Sequence, residues 1–277
     1  MRSICKVLRI TISLLCIGSG LARTASAAPK AELWPLWQAN DPQSSTPVDH
    51  SAWAHFLGKY LVVGKPGSVT LVRYASVTSE DKESLARYLA ALGSITTAKL
   101  NRAEQKAFCV NLSNALTVHT ILDHYPGQSL REISSGWFSS GPWDLKLITV
   151  EWIELSLNDI EHRILRPVWK DNRVHYAVNC ASLGCPNLQP EPFTAENSDR
   201  LFNKAAHDFI NSPRGIKASG ETLLLSSIYD WFLDDFGGSE ATLFVHLQKY
   251  AAPALSAKLE NYRGSIDYEY NWDLNKG

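Results

Sequence analysis

Apolar residues recur at helical spacing in several stretches of this chain. Trp53, Phe56, Leu57 and Tyr60 predict a helix over residues 49–62, and Thr78 with Asp81 opens a second over residues 80–92. The longest such stretch covers residues 102–124: Asn101 caps it, Glu104 stands three residues on, and Phe108, Leu112, Ala115, Leu116 and Leu122 form a buried stripe. Ser156 with Asp159 starts a shorter helix that must end before Pro167, Thr194 one reaching Asn211, Ser226 one reaching Gly237, and Glu240 one reaching Tyr250. Strands are expected over residues 69–74, in a hairpin over residues 145–157, on either side of Ser219-Gly220, and over residues 265–272. A Ser- and Gly-rich loop occupies residues 134–142, and residues 174–180 read as a strand buried on both faces. Helices and short strands interleave without regular alternation, which predicts an α+β fold, one mixed helix-and-sheet domain over residues 48–277.

The N-terminus changes the picture. Arg2, Lys6 and Arg9 precede an apolar run over residues 10–21, and Ala25-Ser26-Ala27 follows, the pattern of a secretory signal peptide over residues 1–27. The run is shorter than the ~20 residues that span a bilayer, and no later stretch qualifies, so no membrane span is expected after cleavage. The expectation is an exported protein, periplasmic or extracellular, with a leader over residues 28–47 in which Trp34, Leu36 and Trp37 pack onto the domain. The 277 residues are 45% hydrophobic and 20% charged, with 9 Trp, 10 Tyr and 9 Phe, an ordinary globular composition with material for a sizeable core. Of 27 basic residues, Arg2, Lys6, Arg9 and Arg23 lie in the signal, leaving 23 against 28 acidic ones; this mild acidity speaks against nucleic acid as a partner. No phosphate-binding glycine loop, Gly-x-Ser-x-Gly turn or zinc-protease helix is present, so no cofactor is expected.

Of 5 Cys, Cys109, Cys180 and Cys185 remain after the signal. Two of them fall in His175-Tyr176-Ala177-Val178-Asn179-Cys180-Ala181-Ser182-Leu183-Gly184-Cys185-Pro186, which gathers a base, an amide and two thiols. On a strand His175 and Asn179 share one face and Cys180 takes the other, so His175 reaches Cys180 only if the chain turns near Asn179. Three readings stand for the thiols: a disulfide closing a tight loop, a nucleophile at Cys180 or Cys185 with a depressed pKa, or a metal site with His175, which lacks the further ligands zinc needs. Cys109, inside the long helix, reads as a core thiol. Asn111 and Asn114 lie one turn apart on that helix and either tie it to a neighbouring segment or bind a polar ligand group in a cleft. Asp230 and Asp234 share a helix face; Asp230, flanked by Tyr229 and Trp231, is the one expected to meet His175.

Five ordered motifs carry a family resemblance. They are Asn111-Leu112-Ser113-Asn114-Ala115-Leu116-Thr117, Gly141-Pro142-Trp143-Asp144, Leu155-Ser156-Leu157-Asn158-Asp159-Ile160-Glu161, the segment from His175 through Pro186, and Ser226-Ser227-Ile228-Tyr229-Asp230-Trp231-Phe232. Over residues 85–250 the chain resembles the domain of unknown function 547 family, found in bacterial exported proteins and at the C-terminus of larger plant proteins. Cys109 and Ser113 stand where the family pattern has aromatic residues. The resemblance implies no settled activity. A looser similarity is to the papain and transglutaminase architecture, where a nucleophile helix packs on a sheet that delivers a histidine and then an acid or amide. Asn111 and Asn114 occupy the helix where a thiol is wanted, which moves the cysteine to the Cys180–Cys185 loop.

Two functions fit a polar cleft near Asn111, Asn114, His175, Asn179 and Asp230. One is a thiol-dependent acyl or amide hydrolase or transferase, with Cys180 or Cys185 as nucleophile, His175 as base and Asp230 orienting it. The other is a non-catalytic periplasmic protein that binds a peptide or small ligand and is stapled by a Cys180–Cys185 disulfide.

Overall fold

The computed structural model describes residues 29–65, 67–127, 129–133, 141–219, 222–260 and 262–277. The expected signal peptide, most of the 134–142 loop and the tip of the hairpin at Gly220 lie outside them. Local signals decide the first helices: α1 (Ser51–Tyr60), α2 (Ser79–Gly93) and α3 (Arg102–His124). The Thr78 hydroxyl accepts the Asp81 N–H at 3.2 Å, and the Asn101 side chain accepts the Glu104 N–H at 2.9 Å.

α3 is buried along nearly its whole length, polar positions included. Those positions bind main chain. Glu104 accepts the Val48 N–H at 2.7 Å and the Ala195 N–H at 3.2 Å, and Gln105 donates to the Ala39 and Thr97 carbonyls. Around α3 pack α1, α2, a two-stranded pair β1 (Leu61–Val62) and β2 (Leu71–Val72), and a hairpin of β3 (Ile148–Val150) with β4 (Ile153–Leu155). The hairpin turns at Glu151 and Trp152 with φ of 49° and 70°, the left-handed pair that a two-residue turn needs.

The chain then runs through a π-helical stretch (Asp159–Leu165), α4 (Arg166–Trp169), α5 (Val174–Ala177) and α6 (Ser198–Ile210). Pro167 does not end the helix. It falls in the first turn of α4, where the π-helix gives way to α geometry. The Pro167 nitrogen cannot serve the carbonyls of His162 and Arg163; the N–H groups of Glu32 and Trp34 do, at 2.9 and 3.2 Å. Residues 29–47 therefore lie along the body of the protein: Trp37 is buried, and Arg102 donates to the Trp37 and Gln38 carbonyls.

The second half adds β5 (Ile216–Ser219), β6 (Thr222–Ser226), α7 (Ser227–Trp231), α8 (Glu240–Tyr250), α9 (Pro253–Glu260) and β7 (Ser265–Glu269). β6 pairs antiparallel with β5 and parallel with β7. α6 joins the two apolar clusters, giving Leu201 and Phe202 to the first and Ala205, Ala206, Phe209 and Ile210 to the second. The fold class is mixed α+β.

Several elements differ from the sequence reading. Residues 174–180 form no strand: Val174–Ala177 is a helical turn, started by the Asp171 carbonyl accepting the Val174 N–H and the Asp171 carboxylate accepting the Arg173 N–H. Four consecutive buried residues look alike in a central strand and a core helix, and here the local cap decides. The period-two placement of His175 and Asn179 falls with the strand, and so does the strand-delivered histidine on which the papain and transglutaminase likeness rested. The strand over residues 69–74 shortens to β2. The helix from Ser226 tightens after Trp231 into a 3-10 turn over Leu233–Phe236.

Candidate functional site

Two buried asparagines hold the segment that follows α5. Asn114 donates to the Ala177 carbonyl at 2.9 Å and accepts the Asn179 N–H at 2.8 Å. Asn179 repeats the device: its Oδ1 accepts the Ala181 N–H at 2.8 Å, and its Nδ2 donates to the Pro186 carbonyl at 2.7 Å, drawing together the two ends of the loop between the cysteines. Asn111 pairs both ways with the Phe193 main chain, at 2.7 and 3.0 Å. All three are buried, where an unmet amide costs ~1–3 kcal/mol. Their hydrogen-bonding groups meet main chain: Asn114 and Asn179 build the frame of the thiol loop, and Asn111 ties Phe193 to α3.

Inside that frame Ala181 takes a left-handed φ of 58° and turns the chain back on itself. The Cys180 N–H then donates to Cys185 Sγ at 2.9 Å, and the two sulfurs stand 2.8 Å apart as free cysteines. Tyr270 Oη lies 2.9 Å from Cys180 Sγ and accepts from the Ser182 hydroxyl at 2.9 Å, which leaves the phenol hydrogen for the sulfur. The segment after β7 seals the loop: Leu183 and Gly184 donate to the Asp273 and Asn271 carbonyls, and the Asn275 N–H donates to the Ala181 carbonyl. A Cβ on Gly184 would sit 2.8 Å from both N and O of Asn271, so only glycine allows this approach.

The two thiols titrate as a pair. Burial pushes Cys185 up, but hydrogen bonds from the Cys180 thiol, Tyr270, the Cys180 N–H and Ser182 outweigh it and lower the pKa to about 7. Cys180 is held well above the ordinary thiol value, first by its hydrogen bond to Cys185 and then by burial. The first proton is therefore the easier one to remove, and the charge it leaves is favoured on Cys185 while Cys180 keeps its proton. Cys180 is the more accessible of the two; Cys185 is 4% exposed. Cys109 is fully buried in α3, and burial raises its pKa.

His175 belongs to a different cluster. Its Nε2 is 2.7 Å from Asp235 and its Nδ1 3.4 Å from Glu161, while Phe232 stacks on the ring at 4.1 Å. Arg166 grips Asp235 through two nitrogens at 2.5 and 3.1 Å, and reaches His162 and the Pro29 carbonyl. Burial opposes charge on His175, but Asp235 and Glu161 overcome it and raise the pKa. Glu161 is lowered to about 2, its partners His162, His175 and Arg166 outweighing burial. Neither ring nitrogen meets a thiol. Asp230, expected to orient His175, is exposed on α7; the 3-10 turn after it brings Asp235 to the histidine instead. Among the described residues no group of three or more His, Cys, Asp or Glu side chains could hold a metal ion.

Residues 97–210 match the family model described as "Protein of unknown function, DUF547". This stretch is similar to that family. No curated protein and no solved structure matches the chain. The matched segment contains α3, the Asn111, Asn114 and Asn179 ties, both thiols and His175. Tyr270, Arg214 and Asp235 come from beyond it, and the sequence reading missed all three. Asp235 had a weak signal, a carboxylate beside Phe236 and before Gly237-Gly238; Tyr270 had only its place in a tyrosine-rich strand.

Proposed function

We propose that this protein works by thiol–disulfide exchange at Cys180 and Cys185, on a peptide or small-molecule partner in the exported compartment to which residues 1–27 direct it. One observation carries the reading: two free cysteine sulfurs stand 2.8 Å apart, with hydrogen-bond donors around them and Cys180 only partly buried. Moving the remaining proton from Cys180 to Cys185 puts the thiolate on Cys180. Cys180 then attacks a disulfide R–S–S–R, forming Cys180–S–S–R and releasing R–S⁻. Cys185, deprotonated, attacks the Cys180 sulfur and releases the second R–S⁻. The dithiol loses two electrons and two protons, and the partner disulfide becomes two thiols. Run backwards, the protein disulfide oxidises a dithiol partner.

This chemistry needs a thiolate and a second thiol within reach, and no separate base. Acyl or amide transfer needs a base at the nucleophile, and both ring nitrogens of His175 face carboxylates. The pair doubles as the staple of the binding-protein reading once it is oxidised. The test is trapping with hydroxyethyl disulfide followed by intact mass and peptide mapping. The reduced protein is expected to end as a Cys180–Cys185 disulfide, and Cys185→Ser to stop at a mixed disulfide on Cys180. If Cys185→Ser forms no mixed disulfide while an activated ester acylates Cys180, acyl transfer replaces this reading; if neither reacts, the binding protein does.

A further inference from the structure

Beside the thiol loop lies an open cleft of about 370 Å³, lined by Gly184, Arg214, Glu269, Tyr270, Asn271 and Trp272. Tyr270 belongs to both places, lining the cleft and touching the Cys180 sulfur. Arg214 donates to the Cys185 carbonyl and, at 2.9 Å, to Asn187, and its guanidinium lies 5.6 Å from the Phe209 ring centroid. Among the described residues no carboxylate comes within ion-pair distance of it, and its buried Nε has no hydrogen-bond partner. A guanidinium withdrawn from water without a counter-ion is costly. When the pair is reduced, the shared thiolate supplies a negative charge nearby; when it is oxidised, that charge disappears. Glu269, exposed on the same cleft, offers the opposite sign.

Resting on the exchange chemistry proposed above, we infer that this cleft is the subsite for a zwitterionic amino-acid thiol or its disulfide, Arg214 taking the carboxylate and Glu269 the ammonium. The fork of Arg214 suits a carboxylate geometrically. The volume is at the small end of ligand sites, which fits a single amino acid or short peptide and not a folded protein. Tyr270, which lines the cleft and touches Cys180 Sγ at 2.9 Å, is the group that separates a ligand bound there from the thiol. The Trp272 ring, packed against Tyr270 at 4.6 Å and Trp231 at 5.6 Å, forms the wall.

The experiment compares four small disulfides as oxidants of the reduced full-length protein: cystine, hydroxyethyl disulfide, cystamine and N,N′-diacetylcystine. Each rate is divided by that of dithiothreitol with the same disulfide, which removes intrinsic reactivity. Cystine is expected to exceed hydroxyethyl disulfide and cystamine at least tenfold on this scale. Arg214→Gln erases the preference for a carboxylate, Arg214→Lys keeps part of it, and Glu269→Gln brings cystine down to N,N′-diacetylcystine. Normalised rates within twofold of one another in the unmodified protein overturn the subsite and leave the exchange chemistry standing. If no disulfide oxidises the pair, both readings fall together.

Discussion

Two buried polar clusters lie five residues apart in sequence and solve the same problem in opposite ways. Around His175, opposite charges stand together: a raised histidine and Arg166 face Asp235 and Glu161, and aromatic rings pack against them. Around Cys180 and Cys185, charge is created by releasing one proton, and the donors that stabilise it, Tyr270, Ser182 and the Cys180 N–H, point at sulfur beside an open cleft. On the proposed reading the closed ion cluster holds things in place and the half-open thiol pair reacts. The histidine's task follows from its position on α5, the element that delivers the thiol loop.

Removing the histidine breaks this comparison most forcefully. His175→Ala removes the cation between the partly exposed carboxylates of Asp235 and Glu161, Asp235 keeping Arg166, and empties the space beside Phe232; the expected loss is ~3 kcal/mol, measured by urea unfolding. Thiol alkylation rates in the protein that remains folded should stay within about threefold. A tenfold fall in thiol reactivity at unchanged stability would instead make His175 the base. The pH dependence sharpens this. A raised histidine stabilises fully below its ordinary 6.5 and loses that contribution as pH rises through the folded value. A lowered glutamate stabilises above its ordinary 4.5 and loses its contribution as pH falls toward about 2. The stability gap between the unmodified protein and His175→Ala should therefore be widest between about pH 4.5 and 6.5 and shrink on either side.

The next largest effect tests whether the frame and the thiols are one device. Asn179→Ala leaves the Ala181 N–H and the Pro186 carbonyl without their partner inside the protein. A cost of ~2–3 kcal/mol is expected, together with a roughly tenfold slower closure of the Cys180–Cys185 disulfide. Asn111→Ala, which unties Phe193 from α3, should cost a similar amount and leave the closure rate alone. Equal closure rates in both variants would detach the thiol pair from its asparagine frame.

The same contrast explains what could be read from the chain. α3 was legible at both ends because a cap, a stripe and a stop are local facts, and the segment from His175 through Pro186 was legible as the place where chemistry gathers. Its conformation was not, since four buried residues in a row carry no periodicity to separate strand from helix. Nor were the partners: Tyr270 lies 90 residues from Cys180, and Asp235 lies 60 from His175. Asp230 offered the better local signal, a carboxylate between two aromatic residues on a helix, yet a tightened turn handed the contact to Asp235. The spacing of Asn111 and Asn114 allows ties or ligand contacts alike; the register of the backbone they meet is a tertiary fact.

The smallest effect bears most directly on the thiol side. Tyr270→Phe keeps the ring against Trp231 and Trp272 and removes only the hydroxyl that donates to Cys180. Its stability should change by about 1 kcal/mol, since the partners left behind are a sulfur and the Ser182 hydroxyl, which still has Cys180 Sγ at 3.3 Å, and the ring contacts persist. What should change is the ease of forming the thiolate. A hydrogen bond to a thiolate of ~1 kcal/mol corresponds to roughly 0.7 pH unit, so the alkylation profile should move to higher pH by about that much. His175→Phe, which keeps an aromatic ring against Phe232, should leave the midpoint of that profile in place while lowering stability. If the two substitutions move the profile equally, the clusters are electrostatically joined and the division between holding and reacting is wrong; if only Tyr270→Phe moves it, proton release at the pair is governed from the C-terminal strand.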